Sequence, residues 1–407
     1  MARFISIAAQ ILVGAALVTL PVLGCDDDTS GNGGEGGSAG GTDGLARQAM
    51  LADIGANVIV PTYTEFLEKA QALAEATEAL EAAGGDDAAA LEAAQLAFND
   101  AMDVWQRAEL FSVGPAGADG VRAGGLNLRD EIYSWPTTNP CRVDQELVDN
   151  EFAGEGFFEG ALINVYGLDA IEYVLFRADT ENACPAPVPI NSEGGWAALG
   201  EAGVKARRAA YAAAASKWLV NRAQTLVDAW SPEGGNFIAA FSNPGTGDSP
   251  YADAQDALNE LFAAMFYIDK QVKDAKLATP AGLSIDCMAE SCPDRLESQW
   301  AMRASANIIH NIEGFELLLT GGDGLGFDDL LTEAGAGDLL AQMKGATDGA
   351  RTTFDGLGVD LMPLMADRIE DVRNAHNDIK ALTDLLKSQF VTVLNLSVPQ
   401  EGASDND

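Results

Sequence analysis

Basic residues are scarce in this chain: 24 Lys plus Arg face 62 Asp plus Glu over 407 residues, a formal net charge of −38. Holding a phosphate backbone takes a stripe of cations that releases counterions, so nucleic acid is excluded as a partner. Aromatic residues make up only 7%, and no segment alternates apolar and polar residues over a sustained run, which argues against a β-sandwich. Histidine occurs twice, as His310 and His376; His376 sits in the polar run Arg373–Asp378 and reads as an exposed helix residue. There is no Gly-x-Ser-x-Gly elbow, no His-Glu-x-x-His, and no phosphate-cradling loop with its lysine. Gly321-Gly-Asp-Gly-Leu-Gly326 is glycine-rich, but it follows a helical pattern and lacks a basic residue, so it reads as a helix-to-helix turn. Beyond residues 1–24, no run is long and apolar enough to span a bilayer.

What is present points to a folded, helical protein. Hydrophobic residues reach 47% and charged residues 21%, so the acidity has not been reached by giving up a core. Residues 1–24 carry Arg3 and then an apolar run to Leu23, the pattern of a secretory signal. Gly24-Cys25 looks like a bacterial lipobox, with Cys25 as the acylated first residue of the mature chain. A glycine-rich tether follows to about residue 46. These features predict a cell-envelope lipoprotein, periplasm-facing or on the outer-membrane surface, whose membrane contact is its lipid. Four further cysteines suit two disulfides in an oxidising compartment. The expected pairs are Cys141 with Cys184 and Cys287 with Cys292; a four-thiolate zinc site is the rival reading, but no pair of Cys-x-x-Cys knuckles is present.

The body reads as helical hairpins. Phe66, Ala70, Leu73, Ala76 and Leu80 form one helical stripe ending at Gly84-Gly85, and Asp86-Asp87 cap a second stripe through Leu91, Phe98, Met102 and Trp105. Continuing that spacing lands on Glu109, a carboxylate in a core-facing row. A long irregular section runs from Gly114 to Cys141. Later helices are expected at about 145–153, 157–177, 201–230, 251–276, 294–320, 326–345 and 360–393. The expected architecture is all-α, two related helical bundles at 47–192 and 193–398, with a polar tail at 399–407.

Ala161–Phe176 holds only two charges, Asp169 and Glu172, in sixteen residues. Three residues apart, they project about 60° from one another on a helix and can face one point. Burying both costs several kcal/mol unless a cation, a shared proton or strong donors compensate. Arg142, Arg177 or a lysine from another helix could do so, as could a metal ion with Glu109 as a third ligand; the alternative is that this side of the helix meets solvent. A shift of 144 residues sets Asp169 over Glu313 and Glu172 over Glu316, with His310 one turn earlier, so the halves read as diverged repeats and His310, Glu313 and Glu316 form a weaker candidate site. Oxygen ligands suit a harder cation such as ferric iron, calcium or manganese better than a hydrolytic zinc.

These blocks resemble the imelysin-like family. Gly167-Leu-Asp-Ala-Ile-Glu172 is similar to its Gly-x-His-x-x-Glu signature, with Asp169 where the family usually has histidine. Trp105-Gln-Arg-Ala-Glu109 leading to Gly114-Pro115, Ser134-Trp-Pro136, Glu297-Ser298, Gly324–Leu331 and the ending Asp405-Asn-Asp407 extend the likeness along the mature chain. The resemblance implies two related bundles with the signature helix lining a cleft, and a part in bacterial iron acquisition alongside an iron-uptake membrane protein. Some members were described as metallopeptidases, a weaker inheritance here because Asp169 removes the imidazole a zinc ligand set would use. The expected function is therefore binding of a metal ion or metal complex. A metal-dependent peptidase and a non-catalytic scaffold with a degenerate site are the alternatives.

Overall fold

The alanine- and leucine-rich stripes fold into helices throughout the computed structural model, which describes residues 40–399, with side chains from residue 44. Among the described residues no strand occurs, and no helix is long and apolar enough to cross a membrane. The signal-like residues 1–24, Cys25 and the Asp405-Asn-Asp407 ending lie outside the described residues. The chain is already helical from Gly40, inside the span expected as tether.

The first hairpin follows its sequence stripes. Val60–Ala82 buries Phe66, Ala70, Leu73 and Leu80, and the Asp87 carboxylate accepts a hydrogen bond from the Ala90 amide to start Ala88–Ala108. The long helix Gly195–Trp230, bent at Gly200, packs along Val60–Ala82 and against Leu168–Phe176. It lies on the C-terminal side of the expected division at 192/193 but completes the first set of helices. A second set comprises Ala304–Thr320, Gly337–Leu357, Ile369–Leu385 and the wide-turned Ile268–Ala278. The two sets meet where Ala304–Thr320 lies against Ala88–Ala108. Gly314 permits that approach, because a Cβ there would stand 2.4 Å from the Arg107 carbonyl oxygen.

Several expected helices are broken. The 157–177 segment is two short turns followed by Leu168–Phe176, interrupted at Gly167, whose φ of +88° belongs to the region that glycine tolerates. The expected 294–320 helix begins only at Ala304, after a turn over 297–302 in which Ser298 and Met302 have positive φ. Gly335, also at positive φ, divides 326–345 into Phe327–Glu333 and the start of Gly337–Leu357. His376, expected to be exposed, is half-buried. Both expected disulfides form, Cys141–Cys184 and Cys287–Cys292.

Candidate functional site

The signature helix Leu168–Phe176 is buried along almost its whole length, and both of its acids are only 2% exposed. Among the described residues, no ion pair joins either to a basic side chain. Asp169, in the first turn where a negative charge suits the helix dipole, accepts hydrogen bonds from the Ser134 hydroxyl at 2.6 Å, from the Thr138 hydroxyl, and from the Ala170 amide at 3.0 Å. Glu172 faces the other set of helices. Its Oε1 accepts the consecutive backbone amides of Trp300 at 3.1 Å and Ala301 at 3.0 Å. The turn over 297–302 aims those two N–H groups at one point, as anion-binding backbone concavities do. Burial raises both carboxyls against these donors, Glu172 to about 7.

The compensating groups that sequence reasoning named are therefore engaged elsewhere. Arg142 pairs with Glu146 at 2.5 Å, and Arg177 pairs with Asp179 at 2.9 Å and donates to the Tyr173 hydroxyl. Glu109 is fully buried, as its stripe predicts, but its Oε2 accepts from Nε and Nη2 of Arg129 at 3.0 and 2.7 Å. Its charge is matched by that guanidinium. Among the described residues, no group of three or more His, Cys, Asp or Glu side chains could hold a metal ion.

A second buried polar cluster, invisible to helical periodicity, ties the two sets of helices together. Lys276 is buried and lies 3.0 Å from the Glu297 carboxylate. It donates to the side-chain oxygens of Gln106 and Asn311, both at 2.7 Å. Glu297 also accepts from the Tyr133 hydroxyl at 2.8 Å and from Gln106 at 3.1 Å. Burial lowers the Lys276 ammonium while Glu297 opposes the shift, and burial together with the Glu297 charge pushes Tyr133 well above its ordinary range. Of this cluster the sequence blocks pointed to Gln106 and Glu297; Lys276, Asn311 and Tyr133 carry no local signal.

The weaker candidate residues stand in more open surroundings. His310 bridges two carboxylates, Asp103 at 3.0 Å from Nε2 and Glu313 at 2.7 Å from Nδ1. Burial lowers its pKa, but the two carboxylates outweigh it and carry it to about 9, which favours the imidazolium form in this arrangement. Arg351 pairs with both Glu313, at 3.2 Å, and Glu316. Glu313 and Glu316 line a cavity of about 860 Å³ between the two sets of helices.

Comparison with known proteins agrees with the all-helical fold. A structure of an imelysin-like protein from Psychrobacter arcticum 273-4 superposes with a TM-score of 0.66 at 16% identity, covering 88% of this chain and 98% of the other. That of a protein named as an iron-regulated protein A precursor, from Parabacteroides distasonis ATCC 8503, gives 0.64 at 18% identity, covering 85% and 95%. No curated protein sequence matches. The family model described as Peptidase M75, imelysin, matches residues 59–389, and the chain belongs to the imelysin family.

Proposed function

We propose that this protein is a non-catalytic component of iron acquisition at the cell envelope, which binds iron already held in an organic complex and passes it to an iron-uptake membrane protein. The observation that carries the reading is the engagement of the signature carboxylates by protein donors: Ser134, Thr138 and Ala170 on Asp169, and the Trp300 and Ala301 amides on Oε1 of Glu172. With Glu109 matched by Arg129, the three acids do not fit a bare metal ion. A hydrolytic zinc centre needs three protein ligands and an open position for water, so the same geometry speaks against a peptidase. An iron complex brings its own ligands and needs only a shaped cavity. The iron-regulated name of one structural relative supports the process. Two disulfides fit an oxidising compartment, and the lipobox-like Gly24-Cys25 supports attachment through a lipid on Cys25.

Metal analysis after purification without chelator, calorimetric titration with free and chelated Fe(III), and a fluorogenic peptide assay with and without zinc test the proposal. Expected are no stoichiometric metal, uptake of a chelated form, and no cleavage above buffer. Stoichiometric metal that disappears in an Asp169→Asn, Glu172→Gln double variant would overturn it in favour of a metal centre, and zinc-dependent cleavage lost in that variant would restore the peptidase. Intact mass of the N-terminal peptide reads acylation at Cys25 directly.

A further inference from the structure

The cavity beside Glu313 and Glu316 has a composition that selects among iron complexes. At about 860 Å³ it falls within the range of roughly 300–1,000 Å³ typical of small-molecule sites. Its charged lining is Arg107, Lys344 and Arg351 against Glu65, Glu313, Glu316 and Asp348, a surplus of one negative charge. The cations are already matched: Arg107 donates to both oxygens of Glu65 at 3.0 Å, Arg351 is shared by Glu313 and Glu316, and Lys344 pairs with Asp328 at 2.9 Å. Glu313 is further held by His310 at 2.7 Å. The negative surplus therefore falls at the edge formed by Glu316 and Asp348, where burial raises Glu316, the Arg351 pair opposes the shift, and the Asp348 charge adds a smaller push upward. An anionic guest meets repulsion there, in a protein whose overall charge of −38 already concentrates cations around it.

The rest of the wall is aliphatic. The Thr62, Thr320 and Thr347 hydroxyls each donate to the carbonyl four residues earlier, Val58, Glu316 and Met343. Their hydrogen bonds turn back into their own helices, and the neighbouring wall is Pro61, Leu317 and Leu319. Such a surface suits methylene chains rather than a hydrated ion or a carboxylate-rich shell.

Resting on the reading of the protein as a binder of iron complexes, we propose that this cavity seats a ferric trihydroxamate carrying an aliphatic ammonium group. The ammonium lies against Glu316 and Asp348, and the spacer chains lie on the aliphatic wall. Three hydroxamates neutralise Fe(III) and fill its coordination, so the complex asks no ligand of the protein and its one free charge is positive. Tricatecholate and citrate complexes carry net negative charge and are rejected at the same edge.

Calorimetry with the ferric complex of desferrioxamine B, its iron-free form, and a ferric tricatecholate tests this in the wild type, a Glu316→Gln, Asp348→Asn double variant, and Asp348→Lys. Asp348 is exposed, so the single variant keeps the test standing where the double variant fails to fold, and circular dichroism checks both. Expected are binding of the ferric trihydroxamate, about tenfold weaker in either variant, weaker binding of the iron-free form, and no binding of the tricatecholate. Trihydroxamate affinity within twofold of wild type in a folded variant would remove the cavity as the seat while leaving the iron-complex reading intact. Equal affinity for the iron-free form, or preference for the tricatecholate, would overturn the ligand class. Failure of every ferric complex to bind would overturn the iron-complex reading itself, and this proposal with it.

Discussion

Replacing Glu172 by glutamine isolates the energetic consequence of its burial. The carboxyl sits in the interior with its proton affinity raised from the ordinary 4.5 to about 7, burial being the main cause and the Glu297 charge a smaller one, while the Ala301 and Trp300 amides and Ser298 oppose it. A carboxyl that holds its proton more tightly in the folded chain than in the unfolded chain stabilises the fold at low pH. Its contribution is fully present below about 4.5 and is lost as pH rises through about 7. Between those values the native state binds more protons than the unfolded state, so stability falls with pH. The gap corresponds to about 3 kcal/mol at full extent. Glutamine is a neutral isostere whose amide oxygen can accept the Trp300 and Ala301 amides, and it does not titrate. Glu172→Gln therefore removes this slope, and relative to wild type the variant gains up to about 3 kcal/mol between pH 5 and pH 8. Urea unfolding followed by circular dichroism at pH 5, 6, 7 and 8 measures it, since most other titrations cancel in the difference. A variant-minus-wild-type difference that is flat across that range, or that moves against the variant as pH rises, would refute the reasoning.

Two further perturbations address how the sets of helices are joined. Lys276→Met leaves the buried Glu297 carboxylate without its cation and Gln106 and Asn311 without a shared donor; a loss of about 3–5 kcal/mol is expected from thermal or urea unfolding, and a Lys276→Met, Glu297→Gln double variant should recover part of it. Gly314→Ala places a methyl 2.4 Å from the Arg107 carbonyl oxygen. Forcing Ala88–Ala108 and Ala304–Thr320 apart should cost about 1–3 kcal/mol, whereas Gly345→Ala, with nothing within 4 Å of the added atom, serves as the control and should be neutral or stabilising.

Periodicity reads what is local, which is why the first hairpin and its Asp87 cap were legible while the joints between helix sets were not. Phe66, Leu73, Phe98 and Trp105 declare their burial through spacing alone, and Glu109 reveals itself by interrupting the same row. The argument that buried Asp169 and Glu172 require compensation also follows from sequence, but the compensating groups do not. Backbone amides at 300 and 301 have no side-chain signature, and they become available only because Ser298 and Met302 adopt positive φ, in a segment whose apolar spacing imitates a helix. Lys276 finds Gln106 across 170 residues of chain and Asn311 finds it across 205, separations over which no repeat or periodicity carries information. The repeat arithmetic paired Glu313 and Glu316 with the signature acids and ranked the pairs by motif likeness. Solvent access reverses that ranking: the better motif is sealed by its own donors, and the poorer one opens onto the cavity. A signature inherited from a family can thus persist as a clasp between helix sets, while the chemistry available to a ligand is set by which acids the packing leaves uncovered.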